Sequence, residues 1–270
     1  MFKPNEFIRS VAPSEGAIKY VLKHYWGYVN VKEYCNVLEI GCGPGNCTHD
    51  ILLPLFPKTL QNYVGTDISR PMIEYAQTHY QNEPRLKFEM LDVGTYCLPK
   101  KFLAAFDHIL SFQCLHFVSD HRKALENIYQ MTKPGGDLFI TFAGKAIIFD
   151  VYEELSQSDK WRPYLESYRD AVCPTHFCED PSLYFEAVLK EVGFSPVVCI
   201  SLKKHFVLPK KSFLTFVEAI CMYPIPKNLM DNFLADSFEE MKRRRCVDGD
   251  YVTYPYSLLI AHATKPDGTS

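Results

Sequence analysis

The chain has 270 residues, of which 47% are hydrophobic, and its formal net charge is -3. This length suits one large α/β domain spanning 1–270. The mild negative charge argues against a nucleic-acid-binding protein, which usually has a clustered basic face. No run approaches the roughly 20 apolar residues that a membrane-spanning helix needs. Residues 1–10 lack the apolar core of a secretory signal, and the ten cysteines are scattered, so we expect a cytoplasmic protein with reduced thiols.

The first predicted elements lead into a glycine-rich loop. Apolar residues at helical spacing over residues 5–30, interrupted at Pro13, predict two short helices. The apolar segment "YCNVLEI" then predicts a buried strand. After the glycines, "NCTHDILLPLF" predicts a helix that ends near Pro54.

Strands and helices then alternate, with short connections. The segments "QNYVGTDI", "RLKFEMLDV", "FDHILSFQCL" and "KPGGDLFITFA" are predicted strands, separated by the helical segments "SRPMIEYAQTHY" and "DHRKALENIYQMT". This rhythm predicts an α/β fold with a doubly wound, mostly parallel sheet, and a core over residues 35–142.

The C-terminal half is more helical. Residues 146–192 and 210–241 are predicted to form a helical cap, with "PVVCISLKKHFVL" as a half-buried strand between them and "YSLLIAHAT" as a closing strand. Its aromatic residues are expected either to fill the core of the cap or to line an apolar chamber. They include Trp161, Tyr164, Tyr168, Phe177, Phe206, Phe213 and Phe216.

The loop "GCGPG" places Gly41, Gly43 and Gly45 where the first strand passes into a helix, which is where open α/β sheets bind ligands. Such a loop is also a common tight turn. Asp67, twenty-two positions after Gly45, has the spacing of a ribose-binding acid, and Asp92 ends the third strand, where it could meet an adenine amino group. Together these features predict a nucleoside pocket.

Glu39 decides which nucleoside the loop favours. A carboxylate beside a pyrophosphate would repel it, and Asn46 stands where the dinucleotide pattern has its third glycine, so a nicotinamide-dependent oxidoreductase is the weaker alternative. A cationic adenosine without phosphate would be attracted instead. S-adenosylmethionine is such a ligand.

The segments "VLEIGCGPG", "GTDIS", "LDV" and "FDHILSFQCLHFV" resemble the successive motifs of class I S-adenosylmethionine-dependent methyltransferases, which have a Rossmann-like fold. The resemblance covers about residues 35–142 and implies eight cofactor-binding residues, on the methionine, ribose or adenine side. In chain order they are Glu39, Gly41, Gly43, Asp67, Ile68, Asp92, Val93 and Ser111.

A narrower resemblance extends to about residue 195. The segments "SFQCLHFVSDHRKALENIYQMTKPGGD", "SDKWRPY" and "CPTHF" are similar to the insect juvenile hormone acid O-methyltransferases, which methylate the carboxylate of farnesoic or juvenile hormone acid. Two positions depart from that family. Phe117 stands where the family typically has tryptophan, and Pro13 where it typically has glutamine, so two hydrogen-bond donors are missing.

The acceptor-side residues are predicted to be Gln113 and His116, each of which could donate to a carboxylate oxygen. His116 could instead be satisfied locally in its turn. A carboxylate is already ionised at neutral pH and needs no general base, whereas an amine or phenol acceptor would use His116 as one. A paralogue with another acceptor and a non-catalytic regulatory protein are the remaining alternatives. Cys173, His176 and Cys178 lack a second ligand pair, so no metal site is expected.

Overall fold

The protein is built around one mixed β-sheet, and the computed structural model describes residues 4–10, 12–166 and 168–268. The strands are β1 (Asn36–Ile40), β2 (Asn62–Asp67), β3 (Leu86–Met90), β4 (Phe106–Phe112), β5 (Thr132–Ala146), β6 (Val197–Pro209), β7 (Val247–Asp248) and β8 (Tyr251–Thr264). They lie in the order β3-β2-β1-β4-β5-β8-β6, and β7 pairs with β8. Neighbours from β3 to β5 are parallel, whereas β8 is antiparallel to both β5 and β6.

Helices cover both faces of this sheet. They are α1 (Pro4–Ser10), α2 (Ala12–Tyr25), α3 (Arg70–His79), α4 (His121–Met131), α5 (Ile147–Ser156), α6 (Arg162–Leu165), α7 (Tyr168–Ala171), α8 (Pro181–Val192), α9 (Lys210–Ile220) and α10 (Lys227–Arg243). The predicted α/β class with a doubly wound, mostly parallel sheet is therefore confirmed. None of the helices within the described ranges is both long and apolar enough to cross a membrane.

Alternate residues along the central strands pack into two separate hydrophobic cores, one on each face of the sheet. Val37 of β1 packs on the α2 side of the sheet with Val21, and both side chains are fully buried. Leu38, its neighbour in sequence, packs on the other face with Leu125 of α4. This alternation explains why the central strands read as continuous apolar runs, since a parallel strand covered by helices on both faces is buried on both.

Local structure differs from the predictions at two places near the cavity. The helix predicted after the glycines is irregular, with a π-helical turn at Thr48–Leu52 and a 3-10 turn at Leu53–Leu55 that contains Pro54. The break between α1 and α2 precedes Pro13, which lies in the first turn of α2. Proline is tolerated there because an N–H in the first turn has no hydrogen-bond partner within the helix. The side chain of Pro13 is outside the described residues.

The strand order creates the crevice that positions the site. From β1 the chain passes to β2 on one side, whereas β4 lies against β1 on the other. The helices on the two sides therefore diverge at the carboxyl ends of β1 and β4, and this divergence is the usual ligand site of an open α/β sheet.

Candidate functional site

A cavity of about 690 Å³ lies at the carboxyl ends of the parallel strands. One side of it, here called the strand-end rim, is formed by residues at the ends of β1, β2 and β3: Glu39, Gly41, Gly43, Asp67, Ile68, Asp92 and Val93. The opposite side, the apolar wall, is formed by α5, β6, α9 and β8: Ile148, Phe149, Tyr152, Phe206, Phe216 and Tyr254. Gln113 and His116, which follow β4, also line the cavity.

The glycine loop is held by the second strand. The amides of Gly41 and Cys42 both donate to the carbonyl of Thr66, at 2.7 and 2.9 Å. Gly41 has a φ of +75°, and a Cβ there would overlap the Cβ and Sγ of Cys114. Glycine is therefore required at Gly41 for both conformation and space, and no side chain covers the backbone where Gly41 and Gly43 line the cavity.

Asp67 connects the loop to the start of α3. Its Oδ2 accepts a hydrogen bond from the amide of Gly43 at 2.9 Å, and its Oδ1 accepts one from the amide of Ser69 at 2.8 Å. Burial raises the pKa of Asp67, while these backbone N–H groups oppose the rise. Each carboxylate oxygen can accept a further hydrogen bond, so the residue can receive the two hydroxyls of a ribose without losing its structural role.

Glu39 is the most deeply buried acid of the rim, with 2% of its surface exposed. The Tyr63 hydroxyl donates to its Oε2 at 2.9 Å. Burial raises the pKa of Glu39 to about 7, and the hydroxyls of Thr48 and Tyr63 limit the rise. A neighbouring positive charge would favour its ionised form, as the sequence argument for a cationic ligand requires.

The other predicted cofactor residues fall into two groups. Ile68 is 66% exposed beside the cavity, Val93 is a buried lining residue, and Asp92 uses Oδ1 to accept from the Gly94 amide at 2.8 Å. Ser111 is buried, does not line the cavity, and donates to the Ile40 carbonyl at 3.1 Å. Its contact with the methionine part of the cofactor stays a prediction.

Gln113 and His116 differ from the acids of the rim because they have unpaired polar atoms. The Nε2 of Gln113 and the Nδ1 of His116 are buried and have no hydrogen-bond partner among the residues that the structure describes. Burial, with a smaller contribution from His121, lowers the pKa of His116 to about 3. The imidazole is therefore neutral at physiological pH, and one of its nitrogens carries a proton that it can donate.

The apolar wall contains residues that the sequence did not identify. Of the aromatic residues considered, Phe206 and Phe216 line the cavity, whereas Trp161 and Phe213 are core residues. Tyr152 was missed, although its i, i+3 spacing from Phe149 could have placed the two on one helix face. Phe7 of α1 also lines the cavity, and no residue pattern pointed to it.

The cysteines and the histidine that were considered as metal ligands each contact neighbouring protein groups. Cys173 Sγ lies 3.2 Å from Thr175 Oγ1, Cys178 Sγ is 3.3 Å from the Pro174 carbonyl, and His176 Nε2 is 3.4 Å from Asp150 Oδ1. Within residues 4–10, 12–166 and 168–268, no three such side chains are grouped as metal ligands would be. The structure gives this segment a packing role.

Comparisons with known proteins agree with this geometry. A methyltransferase domain family matches residues 38–138. The chain is 34% identical over 238 residues to the juvenile hormone acid O-methyltransferase of Drosophila melanogaster, a match that covers 85% of this chain and 80% of that protein. The enzyme of the same name from Bombyx mori is also 34% identical over 238 residues, covering 85% and 84%.

Among solved structures, the YcgJ protein of Bacillus subtilis is similar in fold, with a TM-score of 0.61 at 16% identity, over 93% of this chain and 100% of that one. The matching domain family and the two relatives show that the protein is an S-adenosylmethionine-dependent methyltransferase. The strand-end rim suits that cofactor because Gly41 and Gly43 leave its backbone uncovered and its acids can meet a ribose and a cation. The chain belongs to the family of class I S-adenosylmethionine-dependent methyltransferases that includes the juvenile hormone acid O-methyltransferases.

Proposed function

We propose that the protein methylates the carboxylate of an apolar small molecule, of which farnesoic acid and juvenile hormone acid are examples. One observation carries the proposal. Two uncharged polar side chains, Gln113 and His116, line a cavity whose far side is apolar, and each has a buried nitrogen without a hydrogen-bond partner among the described residues. A buried donor without a partner is unfavourable, and a carboxylate placed between the two would satisfy both.

The pKa of His116 favours a carboxylate over an amine or a phenol. An amine or phenol must lose a proton before or during methylation, which requires a general base with a pKa near the working pH. With a pKa of about 3, His116 is a poor base and a good neutral donor. A carboxylate is already ionised and needs only to be held.

The apolar wall supports an acceptor with a large hydrocarbon part. Phe149, Phe206 and Phe216 line the cavity from three different elements. Burying apolar surface contributes about 25 cal/mol per Å² to binding. The two relatives above are named for an acid of this kind, which supports the same interpretation.

The N-terminal and C-terminal halves of the chain have different roles under this proposal. We assign cofactor binding to residues 35–142, with Glu39, Gly41, Gly43, Asp67, Ile68, Asp92 and Val93 holding the cofactor. Ser111 supports them from behind through its hydrogen bond to Ile40. We assign acceptor binding to the helical segments 146–192 and 210–241. Bound S-adenosylmethionine supplies an electrophilic methyl group. Gln113 and His116 orient the carboxylate, and the apolar wall excludes water, which raises the strength of these hydrogen bonds.

A paralogue with a different acceptor is the second candidate, and Phe117 is the observation that favours it. This residue lines the cavity beside His116, with ring centroids 4.1 Å apart, and its side chain has no donor. A non-catalytic cofactor-binding protein would leave the unpaired atoms of Gln113 and His116 without a role.

The test is methyl transfer from labelled S-adenosylmethionine to a panel of farnesoic, juvenile hormone and straight-chain acids, with an amine and a phenol as comparison. We expect label in an extractable ester. Gln113→Met and His116→Leu should each lower kcat/KM by about 10- to 100-fold, the value of a hydrogen bond to a charged group. Affinity for S-adenosylhomocysteine should be unchanged.

The matched controls are Gln130→Met and His205→Leu, which replace exposed residues of the same types. Label transferred to the amine or the phenol and to no acid would overturn the carboxylate assignment. Cofactor binding without any product would favour the regulatory alternative.

A further inference from the structure

One residue of the apolar wall has an unpaired hydroxyl, within the described part of the chain, that the proposed reaction does not use. Tyr152 of α5 is 2% exposed and lines the cavity, and its hydroxyl is buried without a hydrogen-bond partner among the described residues. Buried hydroxyls are nearly always paired in native structures, so an unpaired one on a residue that lines a cavity points to a ligand atom as its partner.

The ring of Tyr152 is fixed by its neighbours. It packs edge-on against Tyr223, with centroids 5.3 Å apart, and is stacked on Phe233 at 5.7 Å. Phenylalanine would make the same ring contacts, so packing does not explain the hydroxyl. Because the ring is held, the hydroxyl cannot easily turn away to find another partner.

The surroundings of this hydroxyl make it a donor. Burial raises the pKa of Tyr152 well above its usual value, and the titratable groups nearby are Cys221, Tyr223 and Tyr254, so the phenol keeps its proton. Cys221 and Tyr254 line the same cavity. A neutral oxygen that can accept, such as an ether or carbonyl oxygen, is the complementary ligand group.

We propose that Tyr152 is a specificity-determining residue whose hydroxyl donates to a second oxygen of the acceptor, located in its hydrocarbon part. This inference rests on the proposed function, since it assumes that the acceptor fills the cavity with its carboxylate at Gln113 and His116. The protein then selects acids with a correctly placed uncharged oxygen over plain hydrocarbon acids of equal length.

An oxygen scan tests this selection at every position of the acceptor chain in turn. The substrates are a saturated fatty acid and equally long acids in which an ether oxygen replaces one methylene at successive positions. At most positions the oxygen is buried without a donor and lowers kcat/KM. At the position that meets Tyr152 we expect kcat/KM to exceed that of neighbouring positions by about 5- to 10-fold, the value of one neutral hydrogen bond.

Tyr152→Phe should remove this maximum, because it deletes the hydroxyl and keeps the ring contacts. Tyr168→Phe is the matched control. Tyr168 is equally buried, its hydroxyl also lacks a partner within the described part of the chain, and it does not line the cavity. This control should keep the maximum.

A flat scan, or a maximum that persists in Tyr152→Phe, would overturn the inference while leaving the carboxyl methylation intact. If no acid is methylated, the proposed function fails. The same scan by calorimetry on protein loaded with S-adenosylhomocysteine then decides on Tyr152, through the presence or absence of a maximum in affinity.

Discussion

The acids of the strand-end rim have hydrogen-bond partners inside the protein, whereas three residues on the acceptor side of the cavity each have one polar atom without a partner among the described residues. Asp67 accepts from two backbone amides, and Glu39 accepts from Tyr63. Gln113, His116 and Tyr152 each have a buried polar atom that no described residue satisfies. The rim is thus organised before its ligand arrives, and under the proposed function the acceptor side obtains its last hydrogen bonds from the ligand.

The largest effect should come from removing the carboxylate at the centre of the rim. Asp67→Ala deletes both the expected ribose contacts and the bonds that hold Gly43 and Ser69. We expect S-adenosylhomocysteine affinity to fall by about 100-fold or more, since two hydrogen bonds to a charged group are lost. Isothermal titration calorimetry measures this.

Asp159→Ala, at a side chain that is 95% exposed, is the control and should bind normally. Unchanged affinity in folded Asp67→Ala protein would show that the rim is not organised around this residue.

The loop itself can be tested through stability. Gly41→Ala forces a side chain onto a backbone with φ of +75° and into contact with Cys114. We expect a loss of about 2–3 kcal/mol in the free energy of unfolding, measured by urea denaturation. Gly16→Ala, in α2 with open space around the new Cβ, should be neutral or slightly stabilising. Equal effects of the two would mean that the rim tolerates rearrangement.

Glu39 should make cofactor binding depend on pH. Its pKa of about 7 in the free protein means that it is protonated at lower pH, and a cationic ligand must expel that proton. The affinity for S-adenosylmethionine should therefore rise by up to about tenfold per pH unit towards pH 7 and then level off. Glu39→Gln should flatten this dependence in calorimetric titrations. An identical profile in both proteins would remove Glu39 as the charge that the ligand meets.

The same shift has an opposite effect on the empty protein. Because the pKa of Glu39 is raised above its ordinary value of 4.5, protonation favours the folded state at low pH. This contribution is full below about pH 4.5 and is lost as the pH rises through about 7, and Glu39→Gln should lack it in urea denaturation.

The smallest expected effect comes from giving the acceptor side one more donor. Phe117→Trp adds an indole N–H to a residue that lines the cavity beside His116. If the acceptor is a carboxylate, kcat/KM should increase by about 2- to 10-fold. Phe177→Trp, at a half-exposed position away from the cavity, is the control. A decrease would indicate that Phe117 itself shapes the acceptor pocket.

The contrast between the rim and the acceptor side also explains how much of the site could be predicted from the sequence. Gly41, Asp67 and Asp92 lie at consecutive strand ends, and a parallel sheet brings such ends together, so these three rim residues could be predicted from spacing. Ile68 and Val93 were expected only from the family resemblance. The glycine turn and the doubly wound fold followed from local pattern in the same way. Ser111 was placed on the correct strand, but its hydroxyl donates to Ile40 instead of lining the cavity.

The apolar wall could not be predicted in this way. Phe149, Phe206 and Tyr254 come from elements about fifty residues apart in sequence. Whether an aromatic residue faces a chamber or a core depends on how those elements pack, and periodicity carries no such information. The π-helical turn at Thr48–Leu52 was missed because the sequence pattern is that of an ordinary helix.

The most direct test of the account is a crystal structure of the protein with S-adenosylhomocysteine and farnesoic acid. We predict the carboxylate within hydrogen-bonding distance of Gln113 Nε2 and His116, the hydrocarbon chain against Phe149, Phe206 and Phe216, and the nucleoside at Asp67. A carboxylate bound away from Gln113 and His116, or an acid bound outside this cavity, would contradict it.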